Sequence, residues 1–209
     1  MFFSGDSPMA VMWRRVLIFC ASLIPIVWLV YQVLRSQLGA DPAKTIVLYT
    51  GEWTIYFLFL TLAVTPLRRL INNDYLQFRW LQTHRRMLGL FVLFYALLHV
   101  CAYFLFILGG DISRFGAELV KRPYILVSMP AVFLLILLAV TSTQRMMRRL
   151  GKHWLKLHKG IYLIAILAWV HVFWQLRSSY FDAVLFGSII LLLLGSRLYW
   201  YLIKYSSKA

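Results

Sequence analysis

The residues of this chain best suited to hold a metal or move protons are five histidines: His84, His99, His153, His158 and His171. His99 and His171 fall deep inside long apolar runs. An ionisable side chain in hydrocarbon is costly, and one that persists there marks a functional site. His99 stands 13 residues beyond Arg86, and His171 stands 12 residues beyond Lys159. At a helical rise of about 1.5 Å per residue, both lie roughly 18–20 Å from the same membrane face. Two parallel helices would thus present one imidazole each at one depth, past the midplane. Facing imidazoles in a helical bundle can supply the two axial ligands of a haem iron. The plainer alternative is two unrelated polar side chains, each bonded to backbone.

A second pair, His84 and His158, sits at the opposite boundary, just before Arg85 and Lys159. A second haem there would continue an electron path through the membrane. His158 and His171 differ by 13 residues, which leaves them about 140° apart on an ideal helix. The two then need different partners or a distorted helix. His84 could be only a headgroup contact, and His153 lies in a basic loop away from either pair.

Helices that span a membrane must position these groups. The chain is 62% hydrophobic and only 14% charged over 209 residues, against about 25% charged in an ordinary soluble domain. Six apolar runs approach span length: Val16–Leu34, Val47–Leu67, Met87–Leu108, Tyr124–Thr143, Leu157–Leu176 and Phe181–Ile203. The expectation is an all-α integral membrane protein, a single domain over residues 1–209 with six helices in one bundle. The first run lacks a convincing cleavage site and reads as a retained span.

The net charge of +15 could suggest nucleic acid, but the basic residues cluster in short links between the apolar runs. Sixteen of 22 fall at residues 14–15, 68–86, 145–159 and 197–208, on one side of the membrane. The positive-inside rule then predicts that both termini are cytoplasmic, with anionic lipid headgroups as neighbours and no nucleic-acid partner. Cys20 and Cys101 lie within apolar runs and read as buried small hydrophobes. Glu52 could relay protons or bond within the bundle. Arg85, at the basic boundary, and Arg122, outside, are candidates for haem propionates or other cofactor contacts, since arginine suits carboxylate recognition. The tryptophans near span ends read as interfacial anchors.

Several segments resemble the MsrQ family (formerly YedZ), the haem-binding membrane subunits of bacterial methionine sulfoxide reductase systems. They are LGADP at 38–42, RRMLGL at 85–90 leading to His99, KRPY at 121–124, and TSTQRMMRRLGKHWLKLH at 141–158 leading to His171. The resemblance implies a ferric-reductase-like core over about residues 47–176, and His99, His158 and His171 as the haem-associated histidines. It also implies one haem b or two, FMN, and a place in the bacterial inner membrane. The donor it implies is the quinone pool or a cytosolic flavin reductase. The acceptor is MsrP, a periplasmic molybdopterin enzyme that repairs oxidised envelope proteins. The chain has no flavin motif of its own and no expected substrate-transforming site. Rival readings are a stand-alone ferric or quinone reductase and a small transporter with proton-relay histidines.

Overall fold

The computed structural model describes residues 8–70, 79–175 and 180–206. Among these there are helices and no strand. In chain order they are α1 (Pro8–Leu34), α2 (Pro42–Leu70), α3 (Arg79–Ala102), α4 (Ser113–Lys121), α5 (Pro123–Val140), α6 (Gln144–Leu150), α7 (Lys152–Leu157), α8 (Gly160–Gln175) and α9 (Phe181–Ser206). A π-helical turn, Tyr103–Ile107, continues α3. Six stretches are long and apolar enough to cross a membrane, one for each apolar run. Their outer surface agrees: Leu34, Leu191 and Leu192 are each more than 70% exposed, a cost in water but none against lipid tails. Lys208, one of the sixteen basic residues counted on one side, and Arg177, one of the other six, lie outside the described residues.

The helices start and stop where backbone chemistry requires. Pro123 opens α5, at a position where its missing N–H costs nothing. The Asp111 carboxylate accepts from the Ser113 N–H at 2.9 Å and from its hydroxyl at 2.6 Å. Those bonds, from the Ser113 hydroxyl above all, hold the exposed carboxyl below its ordinary pKa. Before them the chain turns through Gly109 and Gly110, both in the left-handed region at φ 68° and 76°, where a side chain would be strained.

The most extensive packing joins α2 to α3 and α5 to α8, with α3 meeting α5 between the two pairs. The core contains Phe57, Phe91 and Tyr95, whose rings stack. Tyr95 donates to the Ser22 carbonyl of α1 at 2.7 Å, one turn before Pro25. Pro66 has no N–H for the Leu62 carbonyl four residues back. Arg197 Nη2 donates to that carbonyl from α9 at 2.5 Å.

The contact between α8 and α9 depends on a missing side chain. Trp169 Nε1 donates to the Ala183 carbonyl at 2.9 Å, and a Cβ on Gly187 would stand 2.6 Å from that same nitrogen. Gly187→Ala must therefore push α9 away or break the indole bond. Overpacking of this kind costs about 1–3 kcal/mol. A lowered thermal midpoint of the detergent-solubilised variant is expected, and an unchanged midpoint would contradict the close packing.

Candidate functional site

His99 lies in the last turn of α3 and His171 near the end of α8. The fold brings their rings together, with centroids 6.2 Å apart and planes at 89°. Each ring is fixed from behind by a different helix. His99 Nδ1 donates to the Val47 carbonyl of α2 at 2.8 Å, and His171 Nδ1 donates to the Tyr124 carbonyl of α5 at 2.9 Å. A carbonyl can only accept, so in the neutral rings Nδ1 carries the hydrogen and Nε2 presents a lone pair. This is the arrangement by which a backbone carbonyl orients a metal-binding imidazole.

The approach of His99 to α2 depends on Gly51, where a Cβ would stand 3.0 Å from Nδ1 and 3.1 Å from Cε1 of the imidazole. The ring therefore lies directly against the α2 backbone. Sequence reasoning missed this residue. The π turn that follows His99 is a widened turn of the sort found at functional sites.

Two imidazoles sharing one metal, each bonded at about 2.0 Å, have ring centres roughly 6 Å apart, close to the separation here. Among the described residues no cluster of three or more His, Cys, Asp or Glu could hold a metal ion. A bare zinc ion in a structural site usually takes four protein ligands, and in a catalytic site three. Two opposed imidazoles alone suit an iron whose equatorial positions a porphyrin already fills. The residues fit haem.

At the near end of this pair, a polar chain joins three segments. The Tyr103 hydroxyl donates to Glu118 at 3.1 Å, the Glu118 carboxylate pairs with Arg122 Nε at 2.7 Å, and Arg122 Nη1 donates to the Tyr124 hydroxyl at 3.3 Å. Bonding to Tyr124 raises the guanidinium pKa above its ordinary value. Arg122 thus already has a carboxylate partner within the chain, and it braces the residue whose carbonyl orients His171.

The other histidine candidates lie at the end carrying the basic links. His158 caps α7, and the helix is broken between Leu157 and Gly160, so the ideal-helix angle to His171 does not apply. Its ring stacks on Trp154 with centroids 4.1 Å apart, and its Nε2 stands 3.2 Å from Thr141 Oγ1. Thr141 in turn donates to the Leu137 carbonyl at 2.7 Å. His84 is only 2% exposed, so it is no solvated headgroup contact. Arg85 acts electrostatically on both His158 and Arg197. His153 and Glu52 are exposed, as are both cysteines, which face outward and are not buried as the sequence suggested.

The family described as ferric reductase like transmembrane component matches residues 50–169. That stretch includes Gly51, His84, His99 and His158 and stops two residues short of His171. Two relatives carry the name protein-methionine-sulfoxide reductase heme-binding subunit MsrQ. One, from Herminiimonas arsenicoxydans, is 42% identical over 197 residues, spanning 93% of this chain and 88% of the relative. The other, from Polaromonas naphthalenivorans (strain CJ2), is 41% identical over 186 residues, spanning 88% and 83%. No solved structure matches the chain.

Proposed function

Because the chain belongs to the ferric-reductase-like transmembrane family, alongside the haem-binding MsrQ subunits, we propose that it is the haem b electron-transfer subunit of a methionine sulfoxide reductase system. The observation that carries this reading is the pair His99 and His171. Both rings are held by Nδ1 to a backbone carbonyl, and their centres lie 6.2 Å apart, a separation at which both could hold one haem iron.

In this reading His99 and His171 would hold the haem iron through Nε2. Haem supplies a one-electron iron couple in a site of low dielectric. Val47 and Tyr124 hold the ligands' orientation, and Gly51 keeps the wall behind His99 flat. The Tyr103, Glu118 and Arg122 chain braces the Tyr124 carbonyl. The predominance of basic residues at the far end supports a cytoplasmic position for that end, in a bacterial inner membrane. The His99 and His171 pair then lies toward the periplasm, where a molybdopterin reductase of the MsrP kind takes the electrons. A quinol or a cytosolic flavin reductase supplies them. His158 supports a second site nearer the cytoplasm, and a haem-to-protein ratio of two would call for ligands there. A ratio of one leaves His158 as a bond to Thr141.

The test is spectroscopic. The purified protein should show a Soret band and, on chemical reduction, the sharp α-band of a six-coordinate b-type haem. Adding the periplasmic reductase together with methionine sulfoxide should reoxidise the reduced haem. Absence of a Soret band would sink the haem assignment. A haem that stays reduced with the reductase present, yet is oxidised by ferric chelates or quinone, would separate this chain from sulfoxide repair.

A further inference from the structure

The boundary charges hide a residue that is not at the boundary. Arg197 is counted with Lys204 and Lys208 among the basic residues near the chain's end, yet its guanidinium is drawn inward between α2, α8 and α9. Nη2 donates to the Leu62 carbonyl, and Cζ lies 4.9 Å from the centre of the Tyr162 ring. Nε and Nη1 are buried and have no hydrogen-bond partner among the described residues. Arg85 and Arg69 are close enough to act on it as like charges, and Arg69 itself lies over the Trp200 ring at 4.9 Å. The described carboxylates are Asp41, Glu52, Asp111, Glu118 and Asp182, all toward the other end of the helices. The arginine cluster therefore has no acidic partner among the described residues, although buried charge is retained where it is paired.

We propose that Arg197 receives an oxyanion, the carboxylate or phosphate of a membrane-embedded molecule, on the guanidinium nitrogens that the Leu62 carbonyl does not use. Arginine is suited to this because it stays charged and offers five N–H donors. Two sources share that chemistry: the propionate of a haem bound at the basic end, and the headgroup of an anionic phospholipid. The lipid source does not depend on the haem reading.

The rival role is purely structural, repair of the carbonyl that Pro66 leaves without a donor. Pro66→Ala separates the two, because an alanine N–H at that position can satisfy Leu62 itself. Arg197→Gln and Arg197→Lys are made in the natural and the Pro66→Ala backgrounds. Each protein is purified in mild detergent for co-purifying phospholipid by mass spectrometry and for haem midpoint potential by redox titration. In both backgrounds Arg197→Gln should either release most of the bound anionic phospholipid or shift the haem midpoint downward. The first result identifies a headgroup, the second a propionate. Arg197→Lys, which keeps the charge, should retain most of either property. If lipid content and midpoint both stay at the parent value once Pro66 is alanine, the proposal is overturned and Arg197 serves the carbonyl alone. A protein purified without haem whose lipid content also ignores Arg197→Gln overturns it equally.

Discussion

Alanine at His99 or at His171 is expected to remove most haem absorbance from the purified protein while leaving the helical bundle intact. Each substitution deletes one of two opposed imidazoles, and no third metal-binding side chain clusters with them among the described residues. The cost to the fold itself is small. Each ring makes one hydrogen bond to a backbone carbonyl, a net contribution of about 0.5–1.5 kcal/mol. Val47 keeps a further donor in the Thr50 hydroxyl, 3.0 Å away. Haem content, read from the Soret band against protein concentration, should therefore fall severalfold with little change in helical circular dichroism. An intact band in both variants would show that the iron is held elsewhere. Loss of helicity would show that the pair is structural.

A comparable loss should follow from a residue that cannot bind a metal. Valine in place of Gly51 puts a branched side chain where a single Cβ would already stand 3.0 Å from the imidazole nitrogen. The ring has to rotate, and its bond to Val47 breaks as it does. The expected outcome is haem content close to that of His99→Ala. Gly51→Ala should retain haem with a shifted spectrum, since the ring need give by only a few tenths of an ångström. Gly89 provides the control: a Cβ there meets Thr61 Cγ2 at 3.8 Å, an ordinary contact, so Gly89→Ala should bind haem normally. Equal haem retention in Gly51→Val and Gly89→Ala would remove Gly51 from the site.

What could be read in advance follows from what the membrane constrains. Apolar run length and depth depend on position along a helix, so six spans and the level shared by His99 and His171 were legible before any fold was known. Rotation about the helix axis was not. The spans are apolar nearly all round, so no periodic stripe says which face of α2 meets α3. Gly51 behind His99 and Arg197 beneath Leu62 are consequences of that rotation, and both escaped notice. Helix α1 begins at Pro8, eight residues before Val16, because Arg14 and Arg15 end a hydropathy window without breaking backbone hydrogen bonds. Helix α4 lies in the link between the third and fourth apolar runs, where no span was expected. The bonds from Ser113 to Asp111 just before it form an Asx turn, in which an aspartate side chain binds the backbone two residues on.

The two carbonyl clamps also have an electrical consequence. Each Nδ1 hydrogen is committed to a main-chain oxygen that cannot be protonated at ordinary pH, so with both Nε2 lone pairs given to an iron, as proposed, the two imidazoles would have no site left to take up a proton along with an electron. On the proposed reading, an electron arriving at that level carries its charge across most of the bilayer uncompensated. Each full crossing is worth about 2.3 kcal/mol per 100 mV of membrane potential. With the cytoplasm negative, the membrane voltage itself drives electrons toward the periplasm.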